Sequence, residues 1–339
     1  MTAFIAEYGL FLLKVVTVVL AIVVVIGVAA ASGRKSALEG LEVESINKKF
    51  KSQATTLRQA VMPRRELKKK LKTEKKRDKA STKQAASRPR SFVLDFKGDL
   101  KASAVPSLRE EVSAILDVAT DGDDVIVRLE NHGGVVHEHG LAASQLARIR
   151  DAGISLTVCV DKVAASGGYL MACVASRIYA APFAILGSIG VLAQIPNFNR
   201  LLDSHGVDFE QVTAGKYKRT VTMFGQNTDA DRAKLKEELE HVHALFKSAV
   251  SRYRPALDLD KVATGEHWYG THALELGLAD EIRTSDEVIA GLVGERELYH
   301  VAYRVKQPLP KRLMANIDSA LEKADALGWR QRFESGLPR

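Results

Sequence analysis

Three short stretches of this chain hold residue types that can do chemistry. A serine followed by two glycines, Ser166-Gly167-Gly168, sits between the apolar run "SLTVCVDK" and "YLMACVAS". A glycine pair, Gly133-Gly134, follows "VIVRLENH". A cluster of cations, Lys216, Lys218 and Arg219, falls in "TAGKYKRT". Ser-Gly-Gly can make a tight turn and a helix N-cap and nothing more. It can also set a hydroxyl at the positive end of a helix with backbone N–H groups beside it. A serine hydroxyl is a weak nucleophile, and needs a base within hydrogen-bond reach and donors for the oxyanion. The chain has nine histidines, none in a recognisable relation to Ser166, and no Gly-x-Ser-x-Gly elbow. Lysine serves as a base only when neutral, so its pKa must fall from about 10.4 through burial or nearby positive charge. On local sequence alone, Lys218 reads as an ordinary solvent-facing lysine.

The elements that position these residues alternate. "SFVLDFKG", "DDVIVRLE" and "SLTVCVDK" read as strands, "RIYAAPFAILGSIGV" carries one or two short ones, and "DFEQVTAG" is expected as another. Helices are expected over "SLREEVSAILDVAT", over "LAASQLARIRDAG", after Ser166, over "FNRLLDSHG", and over 228–254 with an acidic first turn. This βαβα order predicts a parallel sheet with helices packed on it. In such sheets the working loops lie beyond the C-terminal strand ends. That rule groups Gly133-Gly134, Ser166 and Lys218, each placed after an expected strand.

The rest of the chain supplies context. Cys159 and Cys173, the two cysteines, lie in apolar patterns and suggest neither a disulfide framework nor a metal site. "HGGVVHEHG" has three histidines and Glu138, a pattern that fits polarity at a helix start better than metal ligation, so no metal or other cofactor is expected. The formal net charge is +8, yet residues 34–90 carry 19 Lys+Arg against 6 Asp+Glu, leaving the remainder at −5. That basic stretch is poor in large apolar residues and reads as a disordered or partly helical linker drawn to anionic headgroups. Its one aromatic, Phe50, gives bases little to stack on, so no specific nucleic-acid role is expected. Residues 15–33 contain no charge and are long enough to span a hydrocarbon core of about 30 Å. A cleavable signal peptide is the rival, but Lys14 is the lone cation before the run and Glu7 offsets it. The expected order is an anchor at 1–33, a linker at 34–90, a globular domain at 91–306 and a basic tail at 307–339. The positive-inside rule places the globular domain in the cytoplasm, with the periplasm as the alternative.

"DKVAASGGYLMA", "GSIGV" and "GKYKR", in this order, resemble the signal peptide peptidase A family of membrane-bound serine proteases. The opening "EYGLFLLKVVTVVLAI", with "VLDFKG", "PNFNR" and "ATGEHWYG", fits one inner-membrane branch of that family. The resemblance covers nearly the whole chain and fades in the linker and tail. It implies an α/β fold of the ClpP/crotonase type, behind a transmembrane helix, in a bacterial inner membrane. It implies a Ser-Lys dyad with Ser166 as nucleophile and Lys218 as general base. Lys216 does not match the base position. Ser188 of "GSIGV" matches a serine that orients the base, and the N–H groups of Gly133 and Gly167 would form the oxyanion hole. A short, single-module member is expected to form a homo-oligomer that brings Ser166 and Lys218 of neighbouring subunits together. Extended or unfolded peptides, signal-peptide remnants among them, are the expected substrates. One departure stands out: the family's Ser-Pro-Gly-Gly loop is Asn131-His132-Gly133-Gly134 here. Loss of the proline removes a stiffening element, which makes an inactive scaffold on the same fold the leading rival. A crotonase-type acyl-CoA enzyme would not need Lys218.

Overall fold

The computed structural model describes residues 9–19, 39–73 and 88–305. Residues 9–19 are helical, but most of the expected anchor and all of the tail at 307–339 lie outside the described residues. Among the described residues no helix is long and apolar enough to cross a membrane.

The compact body runs from Leu41 to Tyr303. Its elements, in chain order, are β1 Gly40–Ser45, α1 Ile46–Val61, β2 Arg90–Gly98, α2 Val105–Val118, β3 Asp124–Asn131 and α3 Val136–Asp151. Then come β4 Ser155–Val160, β5 Val163–Ala165, α4 Gly167–Ala172, β6 Arg177–Ala180, β7 Ile185–Gly187 and α5 Asn199–Ser204. The chain continues with α6 Asp229–Tyr253, α7 Leu259–Val262, β8 His267–Tyr269, α8 Gly270–Glu275, β9 Glu281–Ile282, α9 Ser285–Leu292 and β10 Glu297–Arg304. The sheet runs β1-β10-β2-β3-β4-β6-β9, and the pairings from β10 to β9 along this path are all parallel. A branch leaves this path where β5 pairs in parallel with both β3 and β7, and β8 closes on β7 antiparallel.

The central strands are apolar on both faces, as a parallel sheet covered by helices requires. Successive side chains point to opposite faces. Phe92, Leu94, Val125, Val127, Val158 and Val160 join the large core, whereas Val93, Ile126 and Cys159 join a smaller one with Val288, Ile289 and Leu298. At about 25 cal/mol per Å² of apolar surface removed from water, the larger core dominates the stability of this body.

Two elements differ from the sequence reading. Within the segment read as linker, β1 extends the sheet beyond β10, and Ile46 at the start of α1 is buried in the smaller core. Asn47 completes the seam: its amide donates to the Arg296 carbonyl at 3.0 Å and its Oδ1 accepts from Leu298 N–H at 2.7 Å. A second helical stretch follows at 64–73. The other difference is "DFEQVTAG", expected as a strand, which is irregular and exposed along its length. Its apolar residues, Phe209, Val212 and Ala214, do not fall on one face of a strand, and no neighbouring strand satisfies its backbone; a strand without a ladder does not form.

Candidate active site

Strand pairing brings two of the singled-out serines side by side. β5 and β7 run parallel in the register Ala164↔Leu186 and Ala165↔Gly187. The next residues along, Ser166 and Ser188, therefore leave the C-terminal ends of adjacent strands together. The Ser166 N–H donates to the Gly187 carbonyl at 2.8 Å, and the Ser188 N–H donates to the Glu266 carbonyl at 2.6 Å. Both serines have left-handed backbones, with φ of 52° and 51°. Ala102 is the remaining described non-glycine residue with positive φ. Such a conformation costs on the order of 1–3 kcal/mol and persists where the surroundings enforce it. Ser166 has ψ −119° and is the N-cap of α4, so the chain turns sharply from strand into helix at the serine. Its hydroxyl makes no hydrogen bond among the described residues, and the residue is half-buried.

The glycine loop after β3 lies against this turn. A Cβ on Gly133 would come within 2.7 Å of Ser166 Cβ and 2.8 Å of Gly167 N. Gly133 has φ 84°, so both its conformation and its contact exclude a side chain. The Gly133 N–H, expected in the oxyanion hole, donates instead to Asn131 Oδ1 at 2.8 Å. The Gly134 N–H makes no backbone hydrogen bond among the described residues. The Gly167 N–H lies in the first turn of α4, where no carbonyl of the helix precedes it. Gly167 therefore offers an unpaired amide at the serine turn, and Gly134, one residue beyond the glycine that packs on that turn, offers a second unpaired amide.

Lys218 is placed differently. It closes a short turn, its N–H donating to the Gly215 carbonyl at 3.1 Å, and its side chain is exposed. Nothing ties it to Ser166 or Ser188 within the chain: among the described residues its side chain makes no hydrogen bond or ion pair. Its neighbour Tyr217 is held between two cations, with Lys216 Nζ 5.1 Å and Lys234 Nζ 4.9 Å from the ring centroid. No residue of 191–228 is buried. This stretch folds on itself through Phe198, Phe209 and Phe224, whose ring centroids lie 6.1 and 5.8 Å apart. The Asn197 and Asn199 amides donate to carbonyls of Thr222, Phe224 and Gly225.

Other candidates fall away. Burial pushes both the Cys159 and Cys173 thiols up to about 12, which leaves neither as a nucleophile. No group of three or more metal-ligating side chains exists among the described residues. His132 and His137 are exposed, while His139 is wholly buried behind the serine turn. Trp268 packs against Gly187, where an added Cβ would sit 2.7 Å from its ring, so it is a wall of the site. The Asp280 of "GLADEI" braces the same body. Burial would raise its carboxyl, yet the Arg254 guanidinium at 2.8 Å and the Ile178 N–H at 2.7 Å hold it below its ordinary value.

The arrangement offers a strained serine hydroxyl, two unpaired backbone amides and an adjacent second serine at the C-terminal rim of a parallel sheet. That can support acyl transfer once a base arrives. Asn131 and His139, which the sequence offers only as a loop departure and as polarity at a helix start, are both fully buried beside the serine turn. His139 was visible in principle, because it falls on the stripe His139, Ala142, Ala143, Leu146 and Ile149 that α3 buries.

Comparison with known proteins gives a consistent picture. Residues 3–146 match Peptidase family S49 N-terminal, and residues 148–298 match Peptidase family S49. A protein of Haemophilus influenzae named "Probable protease SohB" is 47% identical over 319 residues, covering 90% of each chain. A protein of the same name from Buchnera aphidicola subsp. Acyrthosiphon pisum is 54% identical over 232 residues, covering 68% of this chain and 69% of the relative. Among solved structures, a 1510-N membrane-bound stomatin-specific protease in complex with a substrate peptide aligns with a TM-score of 0.40 at 12% identity, covering 68% of this chain and 98% of its own.

Proposed function

The chain belongs to peptidase family S49, and on that premise we propose that it is a membrane-anchored serine endopeptidase working through a Ser166–Lys218 dyad. One observation carries the reading: Ser166 occupies a left-handed strand-to-helix turn with its hydroxyl free, the Gly167 amide in the first turn of the helix that follows, and the Gly133-Gly134 loop packed against it. Neutral Lys218 takes the hydroxyl proton as Ser166 Oγ attacks a peptide carbonyl. The tetrahedral oxyanion is held by the N–H groups of Gly134 and Gly167, with the positive end of α4 behind them. Lys218 then gives its proton to the leaving amine, and the acyl-enzyme forms. A water deprotonated by the same lysine attacks the ester, and the carboxylate product leaves. Ser188, next to Ser166 in register, orients the lysine amine.

Because Lys218 is exposed and remote in connectivity from Ser166, the base is supplied by a neighbouring copy in a homo-oligomer. The protease domain, Leu41–Tyr303 with β1 and α1 included, has the ClpP/crotonase type of fold. Residues 1–33 anchor it in the bacterial inner membrane, the cations of 48–90 face the anionic headgroups of the cytoplasmic leaflet, and 307–339 form a basic tail. Substrates are extended or unfolded peptides near that surface, and no cofactor takes part.

The test is cleavage of an unfolded protein by the detergent-purified full chain, with intact mass after a serine-directed phosphonate. Wild type is expected to cleave and to carry one adduct on Ser166, and Ser166→Ala and Lys218→Ala each to lose at least about 10³-fold in rate. Mixing the two inactive variants under subunit exchange should restore part of the activity. Wild type that assembles yet neither cleaves nor labels would overturn the reading in favour of an inactive scaffold.

A further inference from the structure

We infer that Asn131 and His139 are positioning residues of the oxyanion hole, together fixing which amide of the Gly133-Gly134 loop faces the serine. The inference rests on the peptidase reading above. Asn131 ends β3 and His139 lies in the first turn of α3, and both are fully buried. Asn131 Oδ1 accepts from Gly133 N–H at 2.8 Å and lies 3.2 Å from His139 Nε2. Its Nδ2 lies 3.3 Å from Met171 Sδ, and His139 Nδ1 lies 3.0 Å from the Val135 carbonyl. The Gly133 N–H identifies which end of the amide is oxygen, so the imidazole must present an N–H at Nε2 to bond it.

The chain gives up three side chains to seat this pair. A Cβ on Gly98 would lie 2.5 Å from Asn131 Cγ, and one on Gly167 would lie 2.5 Å from His139 Cγ. One on Gly168 would run into the Asn131 carbonyl oxygen. Stability alone does not call for such a pair, because two apolar side chains of the same shape are close to neutral in place of a buried hydrogen-bonded couple. What the polar pair adds is direction. Two successive glycines leave a peptide plane free to rotate, and rotation would exchange the amide that faces Ser166. A proline at position 132 would restrict that rotation through its ring. His132 is exposed and has no ring closure onto the backbone. The restraint comes instead from the side chain two residues before Gly133, held from behind by the imidazole.

The experiment compares full-length His139→Leu with His139→Gln, and Asn131→Ala with Asn131→Ser. It reads kcat and KM on an unfolded substrate, thermal melting, and residue-resolved hydrogen exchange at the Gly133 amide. His139→Leu and Asn131→Ala remove the restraint. They are expected to lower kcat about 10- to 100-fold, short of the loss of a whole oxyanion donor. KM should stay within about two-fold, as for a group acting in the transition state alone, and Gly133 exchange should quicken. His139→Gln keeps an N–H donor and Asn131→Ser keeps an acceptor, so both should return kcat and protection toward wild type. Gly133 exchange as fast in wild type as in His139→Leu would overturn the inference, because the restraint would not exist. So would unchanged kcat in a folded His139→Leu with fast exchange, or activity loss in all four variants in proportion to lost melting temperature. If wild type protects Gly133 but is inactive, the peptidase reading fails and the positioning role falls with it. The exchange data would then show that the fault lay in that reading and not in the restraint.

Discussion

The serine side and the lysine side of this molecule are built on opposite plans. Ser166 stands on short strands paired into the sheet, with Ala164, Tyr169, Met171 and Leu186 buried around it. Lys218 stands on a stretch with no buried residue, next to side chains such as Val212, which is 97% exposed. Leu192, Val207 and Tyr217 are also exposed there. A turn that holds a serine at positive φ needs a packed body to enforce it. A lysine that must meet that serine from another copy needs a projecting segment whose apolar side chains await a partner. On the proposed reading, then, folding fixes the nucleophile and assembly supplies the base.

Gly168→Ala tests the first half and should have the largest effect. In the first turn of a helix, alanine in place of glycine would by propensity stabilise by up to about 1 kcal/mol. Here the added Cβ would strike the Asn131 carbonyl, which is backbone at the end of a central strand. We expect a net loss of about 3 kcal/mol or more, as for severe overpacking, with peptide cleavage abolished. Gly225→Ala is the control in the lysine segment. Its Cβ would meet the Thr222 methyl at 3.0 Å and Phe209 at 3.5 Å, side chains free to shift. Its cost should stay within about 1 kcal/mol. Equal losses in chemical denaturation would mean that the lysine segment is as tightly built as the serine turn.

Val212→Asp tests the second half. An exposed substitution changes the stability of the folded chain by no more than about 0.5 kcal/mol. If the segment docks on another copy, a charge there should shift the assembly to smaller species and lower cleavage about 10-fold or more. Light scattering and activity on one preparation decide it. Full activity in a monomeric Val212→Asp variant would mean that Lys218 reaches the serine of its own chain.

The same contrast explains what the sequence made legible. The alternation of "SFVLDFKG", "DDVIVRLE" and "SLTVCVDK" with helical patterns revealed the parallel sheet because each of those strands carries a run of apolar residues buried on both faces. Ser166 and the Gly133-Gly134 loop were singled out by residue type and strand-end position, and the pairing of β5 with β3 brings them together. "DFEQVTAG" misled because a short segment with a few β-favouring residues does not say what would pair with it or bury it. Asn131 entered only as a departure from Ser-Pro-Gly-Gly, and His139 as part of a weak metal pattern. Their shared role depends on β3 and α3 meeting behind the serine turn, a contact between elements that no local pattern carries. For the same reason the docking of Ile46 and Asn47 onto the sheet was hidden inside a charge-rich segment.

The smallest effect comes from the far end of the body, and it separates stability from chemistry. Asp123 precedes β3 at the rim opposite the serine turn, and its side chain is 2% exposed. Burial would raise its carboxyl, but hydrogen bonds from the Arg90 guanidinium and backbone and from Thr120 bring it down to about 2. A carboxyl depressed in the folded state contributes stability that is fully present above its unfolded pKa of about 3.9. That contribution is lost as pH falls through the folded value. Asp123→Asn should therefore cost about 2 kcal/mol at pH 7, the range for hydrogen bonds to a charged group. The gap to wild type should close between pH 4 and pH 2, as protonation makes the native carboxyl resemble the amide. Denaturant midpoints across that range measure it, and a gap that persists at pH 2 would mean the ion pair is not its source. The kcat of Asp123→Asn at neutral pH should match wild type, because the Arg90 pair restrains the rim of β2 and β3 and leaves the Asn131 end in place. A fall in kcat together with faster Gly133 exchange would mean that the strand transmits strain along its whole length, and the serine side would then be one rigid unit from rim to site.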